Sequence, residues 1–200
     1  MNHAKGMMQT PRHWSLQPDA PSDAERPETK APPSAGNSPL TLVAGGAHSL
    51  ALRADGTVWG WGSNGNGQLG AGAAPLCWTP VQVAGLAGVT ALAAGAYHSL
   101  ALRSGGTVWS WGYNAHGQLG EGTNTDRATP VQVPGLTGVI ALATGGVHTL
   151  ALRGDGSVWA WGQNSRGQLG DGTTASRALP RRWRCAGMAP PGPGATAGLE

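Results

Sequence analysis

The chain has 200 residues, with 34 glycines, 15 prolines and 9 tryptophans, no phenylalanine, and only 12% charged residues, against about 25% in an ordinary soluble domain. Its net charge of +3 is unevenly placed: residues 1–39 balance four basic against four acidic, residues 40–180 carry six Arg against five acids, and Arg181, Arg182 and Arg184 against Glu200 supply the rest. This excludes a basic face for phosphate contacts within the repeats, so no nucleic-acid partner is expected, and the glycine has no collagen triplet period.

Residues 1–39 hold seven prolines, mixed charges and almost no aliphatic periodicity. Such a segment buries too little apolar surface to offset its ordering entropy, which predicts a disordered Pro-rich arm. No apolar run of a secretory signal or of membrane-spanning length is visible, so a cytoplasmic setting without membrane association is the default, secretion remaining open should a leader precede the given start. Cys77 and Cys185 are the only cysteines, one in a loop and one in the tail, so no disulfide framework is indicated.

From Leu40 repetition governs the chain. His48, His98 and His148 are spaced by 50 residues, as are Trp59, Trp109 and Trp159, and Trp61, Trp111 and Trp161. Aligning 41–90 with 91–140 without a gap gives 30 identical positions of 50. The structural unit is therefore about 50 residues, with copies near 40–85, 90–135 and 140–180. Each copy reads as four short strands. In the second, Val89–Ala93 is a short apolar run; His98–Arg103 alternates, with Leu100 and Leu102 on one side and Ser99 and Ala101 on the other. Gly105-Gly106, matching Asp55-Gly56 and Asp155-Gly156, signals a two-residue hairpin turn. Thr107–Trp111 returns with both Trp on one side, and Pro130–Val133 gives a fourth strand that starts at a proline, as an edge strand can. This reading puts Leu and Trp on one side of each sheet and Ala, Ser and Gly on the other. The fold class predicted is all-β, with propeller blades of four antiparallel strands stacked face to face.

Gly45-Gly46-Ala47-His48-Ser49-Leu50-Ala51-Leu52, then Asp55-Gly56-Thr57-Val58-Trp59-Gly60-Trp61-Gly62, then Asn64-Gly65-Asn66-Gly67-Gln68-Leu69-Gly70 resemble the repeat of the regulator of chromosome condensation family. The resemblance covers residues 40–180 and all three copies. It implies a propeller of about seven blades. Family members include the Ran exchange factor, domains of ubiquitin ligases and a bacterial inhibitor of β-lactamases, which share the presentation of loops to a protein partner. This chain departs in having three copies, and it lacks an equivalent of the β-wedge through which the eukaryotic exchange factor engages its GTPase.

The function expected is a scaffold for protein–protein interaction, not an enzyme, without metal or cofactor. Regulation of a small GTPase, inhibition of an enzyme, and a nonfunctional fragment of a longer propeller remain alternatives. His48, His98 and His148 recur once per blade, too far apart for one zinc site, and read as structural. The six paired Trp read as blade-to-blade core rather than a stacking platform. The Gly-Gln-Leu-Gly tetrads lack the Lys and the following helix of a phosphate loop; Leu plugs inward and Gln bonds to loop backbone. Arg53, Arg103 and Arg153 cap or pair beside the hairpins, Asp55 and Asp155 being partners in two copies. The acids Asp55, Glu121, Asp126, Asp155 and Asp171 lie in turns and loops, with no nucleophile and base together. Partner information should sit where the copies differ, which selects Trp78, Tyr97, Tyr113, His116 and Arg166 as binding residues.

After Pro180 the repeats predict Val-Gln-Val, whereas the chain reads Arg181-Arg182-Trp183-Arg184-Cys185. Residues 181–200 are expected to be a disordered tail, frameshifted or truncated, that leaves the third copy without a complete fourth strand. Three copies make an open arc whose end faces stay apolar, which predicts self-association or missing blades.

Overall fold

The computed structural model describes residues 39–72 and 74–183. The arm over 1–39, apart from its last residue, and the tail beyond Trp183 lie outside the described residues. The described part is all-β and contains no helix, hence none long and apolar enough to cross a membrane. Twelve strands form three four-stranded antiparallel sheets, each a meander in chain order. The first holds β1 (Pro39–Ala44), β2 (His48–Arg53), β3 (Val58–Ser63) and β4 (Leu76–Gln82). The second holds β5 (Val89–Ala94), β6 (His98–Arg103), β7 (Val108–Gly112) and β8 (Arg127–Gln132). The third holds β9 (Val139–Thr144), β10 (His148–Arg153), β11 (Val158–Gly162) and β12 (Arg177–Arg182). Consecutive sheets stack as blades of an open, incomplete propeller.

The hairpin between the second and third strands corrects the sequence reading. It is a three-residue loop: Gly56 N–H donates to Arg53 O at 2.9 Å, and Arg53 N–H to Thr57 O at 2.9 Å. Only Gly56 takes a positive φ (76°), while Asp55 keeps a negative one and accepts from Thr57 N–H and Oγ1 at 2.9 and 2.6 Å. The geometry is a turn closed by a left-handed glycine. The extra loop residue slips the register by one, and a one-residue slip moves every side chain to the other face. Leu52 therefore faces Val58, while Ala51 faces Trp59 and Ser49 faces Trp61. Leu and Trp occupy opposite faces, not the same one. Each sheet has a leading face, where the Trp pair lies beside Ser and Ala, and a trailing face with Leu and Val beside small residues.

Two further corrections concern the fourth strand. It begins at Arg127, not at Pro130, and a register shift between Ser110 and Gly112 lies opposite the proline. Pro130 sits within an outermost strand, where its missing N–H breaks no ladder of two sheets. The third sheet also has its full fourth strand. Arg181 pairs with Ala160 and Arg182 with Trp159, and Trp183 N–H donates to Val158 O at 2.7 Å, as Val83 does to Val58 O at 2.9 Å. Strand pairing uses backbone groups, so the loss of the Val-Gln-Val sequence did not remove it.

The core lies between sheets. Leu50, Leu52, Val58 and Val83 from the trailing face of the first meet Leu92, Ala101 and Trp111 from the leading face of the second. Leu100, Leu102, Val108 and Val133 meet Ala151 and Trp161 in the same way. At each junction polar groups are locked in place. Trp111 Nε1 and Ser99 Oγ both donate to Gln68 O, at 2.8 and 2.7 Å, using both lone pairs of one carbonyl. Having given its proton to that carbonyl, Ser99 must accept from His48 Nε2–H at 3.0 Å. The next junction repeats this with Trp161 and Thr149 on Gln118 O at 2.8 and 3.1 Å, and His98 Nε2 on Thr149 at 3.2 Å. The bond fixes each ring as the Nε2–H tautomer and leaves Nδ1 buried without a partner. Burial lowers His48 from its ordinary value to about 4, and His98 to about 3, where the neighbouring histidines add to the effect. His48 and His98 are thus buried in the junctions as neutral rings.

Two predictions follow from these junctions. Above pH 6.5 the histidines are neutral in both folded and unfolded chain, so stability is at its full value. Between pH 6.5 and 4 only the unfolded chain takes up the protons, so stability falls by up to about 1.4 kcal/mol per pH unit for each silent histidine. Asp171, held down to about 2, keeps its stabilising contribution above the ordinary carboxylate value and loses it only as pH falls from there toward 2, so the early loss belongs to the histidines. Thermal melts from pH 7.5 to 4.5 check this; a flat Tm over that span contradicts it. Ser99→Ala leaves the buried His48 Nε2–H unmet and should cost about 1–3 kcal/mol in urea unfolding.

Candidate functional site

In an up-and-down meander, the loop after the first strand and the loop after the third emerge at the same end of the sheet. That end gathers residues 45–47, 95–97 and 145–147 with the described parts of the long loops, 64–72 and 74–75, 113–126 and 163–176. The copies differ most here, and the loops are nonetheless firmly built. Asn114, fully buried, donates through Nδ2 to Thr123 O and Thr125 O at 3.0 Å each, and its Oδ1 accepts from Leu119 N–H at 3.0 Å. Asn64 bonds Gly72 O, Ala74 O and Leu69 N–H, and Asn164 bonds Thr173 O, Ala175 O and Leu169 N–H. One amide thus pins both ends of each loop. Gln68, Gln118 and Gln168 accept from the N–H of Asn66, His116 and Arg166 at 2.8–3.0 Å, as the motif led us to expect. Leu69, Leu119 and Leu169 are the inward plugs.

The loop acids are occupied. Arg127 bonds Glu121 at 2.8 Å and Arg177 bonds Asp171 at 2.9 Å. Burial tends to raise Glu121, but hydrogen bonds from Thr123, Arg127 and Asn114 and the Arg127 charge hold it below the usual value. The Thr173 hydroxyl, with Arg177 adding to it, overcomes burial and holds Asp171 down to about 2. Asp126 Oδ1 accepts from Asn114 N–H at 2.7 Å, and its Oδ2 from Asn66 Nδ2 at 3.2 Å, tying the loops of the first two sheets together. At the opposite end the Ser157 hydroxyl and N–H lower Asp155, with Arg153 at 3.3 Å. Every shifted carboxyl moves down, the wrong direction for a proton donor near neutral pH. Among the described residues no three His, Cys, Asp or Glu side chains group as a metal site.

The sequence-selected residues separate into three groups. Tyr97 and Tyr113 meet edge to face with ring centroids 6.1 Å apart, and Tyr113 meets His116 at 6.2 Å. This trio forms one patch on the second sheet, with Tyr97 48% exposed. Arg166 stands exposed at the equivalent of His116 in the third sheet. Trp78 lies on β4, the outer strand of the first sheet, 86% exposed and apart from the trio. Trp111 and Trp161 are fully buried in the core between sheets, with Trp109 and Trp159 packed against it, whereas Trp59 and Trp61 on the first sheet are only partly buried; Trp59, Trp109 and Trp159 lie under Arg53, Arg103 and Arg153 at 5.5, 5.5 and 6.0 Å. Two of these arginines also hold the blade connections, Arg103 Nε donating to Ala87 O and Arg153 Nε to Thr137 O, both at 2.7 Å. Sequence reasoning missed Asn64, Asn114 and Asn164 as the residues that pin the loops. Their 50-residue recurrence was the available signal.

Comparison with curated protein sequences gives no match. Among solved structures, human WBSCR16 is 30% identical with a TM-score of 0.67, the alignment covering 75% of this chain and 40% of that one. Yeast RCC1 (Prp20) bound to Kap60 is 24% identical with a TM-score of 0.67, covering 72% and 36%. Prp20p from Saccharomyces cerevisiae is 24% identical with a TM-score of 0.65, covering 72% and 38%. The chain thus spans 40% or less of the length of each of these structures. The yeast likenesses concern the fold. A family model described as the regulator of chromosome condensation (RCC1) repeat matches residues 55–102, 105–152 and 155–185, and a second of the same description matches 41–68, 89–118 and 139–168. The chain belongs to the regulator of chromosome condensation repeat family.

Proposed function

We propose that this chain is a protein-binding module, without catalytic activity of its own, that engages its partner through the loop end of the blades. The observation that carries this reading is the Tyr97–Tyr113–His116 patch: an exposed Tyr97 ring and two half-buried rings held in mutual contact across two neighbouring loops, of which the longer is kept rigid by Asn114 and Asp126. Rigid aromatic anchors bring contact area at low entropy cost, which is what interface hot spots require. Arg166 extends the same rim, and Trp78 offers a separate contact on the outer edge. Relatives of this fold give precedent: yeast RCC1 (Prp20) is bound to Kap60, and Prp20p has binding properties to Gsp1p and histones. The down-shifted loop carboxylates support the non-catalytic part of the reading.

The test compares the full chain with the combined variant Tyr97→Ala, Tyr113→Ala, His116→Ala. Proteins captured by the wild type and identified by mass spectrometry are titrated against both. Truncating hot-spot aromatics should weaken binding by about 2 kcal/mol or more, roughly 30-fold, with circular dichroism and Tm unchanged. Equal affinity for every captured protein would overturn the assignment. Asn114→Ala, which keeps all three side chains but loosens the loop that carries Tyr113 and His116, should weaken binding less, by about 1 kcal/mol.

A further inference from the structure

The two internal junctions define what a trailing face accepts. Trp111 lies over Gly70, where an added Cβ would sit 2.9 Å from its Nε1, and Trp161 lies over Gly120 at 2.6 Å. In each case the indole N–H and a neighbouring hydroxyl share one glutamine carbonyl, and the preceding histidine meets that hydroxyl. The third sheet presents the same set once more: Gln168, Gly170 and His148, beside a hollow of about 320 Å³ lined by Leu150, Val158 and Leu169. No sheet follows it among the described residues. At the other end the leading face of the first sheet carries the matching half. Trp61 and Ser49 are only partly buried there, beside Leu42, which is 64% exposed where its counterpart Leu92 is 7% exposed. Leu42, Ser49 and Trp61 line a second hollow of about 260 Å³.

We propose that the trailing face of the third sheet takes the leading face of the first sheet of a second copy of this chain, with Trp61 of that copy seated over Gly170. Trp61 Nε1–H and Ser49 Oγ–H of the incoming copy donate to Gln168 O, and His148 Nε2–H donates to Ser49. The argument for a second copy over an arbitrary apolar ligand is this pairing. Donor, acceptor, glycine seat and register match two interfaces the chain already makes with itself. Trp183 holds the seat in the isolated chain. Its backbone stands where Val83 and Val133 stand in their sheets, yet its indole reaches over Gly170, which an added Cβ would bring to 2.4 Å from its Nε1. Half-exposed at 46%, it is a placeholder that Trp61 displaces.

Sedimentation equilibrium on the full chain from about 1 to 200 µM tests this, together with circular dichroism of each variant. Wild type should associate reversibly into a discrete species, Trp183→Ala should strengthen association at least several-fold, and Leu42→Asp should weaken it at least ten-fold. Leu150→Asp blocks the other face; Val158→Lys replaces it if that variant does not fold. Each face-blocked variant alone should be monomeric, and mixing the two should give a 1:1 pair, because each keeps the face the other lacks. Monomeric wild type and Trp183→Ala throughout the range would overturn the proposal. So would association that survives Leu42→Asp, or face-blocked variants that do not pair on mixing. Loss of partner binding by the Tyr97, Tyr113 and His116 variant with association intact separates this proposal from the proposed function.

Discussion

Each junction between blades depends on one backbone carbonyl. Gln68 O and Gln118 O lie between sheets where water does not reach, and a buried acceptor left unpaired is costly. Each receives an indole N–H and a hydroxyl from the following sheet. That demand explains why Trp111 and Trp161 are fully buried, why Ser99 and Thr149 are hydroxyl residues, and why a neutral histidine must stand opposite. Burying apolar surface brings the sheets together; the carbonyl sets the distance and rotation at which they stop.

The same junction links packing to the variable loops. Gln68 and Gln118 belong to the loops that Asn64 and Asn114 pin, so the residues that lock blades also begin the variable loops. A partner surface built there rests on the propeller core. Tyr97 precedes His98, itself locked to the third sheet through Thr149, and Tyr113 N–H donates to Tyr97 O at 2.9 Å. The aromatic patch can therefore vary in sequence while its backbone stays in place.

Much of this was legible from residue spacing. The 50-residue period, the four strands per copy, the inward Leu and the Gln bonded to loop backbone were all readable, because repetition exposes what every blade needs. The aromatic patch was partly legible. Tyr97, Tyr113 and His116 were selected for differing among copies, but their mutual contact depends on two loops that are distant in sequence. Trp78, chosen on the same ground, falls on another edge. Asn114 was overlooked because a polar residue inside a loop motif looks solvated until the carbonyls it bridges are known.

The sequence by itself determined the unit, its strand count and the residues demanded once per blade, since local periodicity and turn glycines encode those directly. Only the tertiary structure decided which face each side chain takes. Asp55-Gly56 reads as a two-residue turn, yet the loop takes in Ala54, and that single residue moves Trp59 from beside Leu52 to beside Ala51. The completion of β12 by arginines was likewise invisible in the residues after Pro180, because a strand is held by its backbone and side-chain pattern reports only what is buried. Turn length and backbone pairing are settled by the neighbouring strand, and a linear sequence does not contain that neighbour's position.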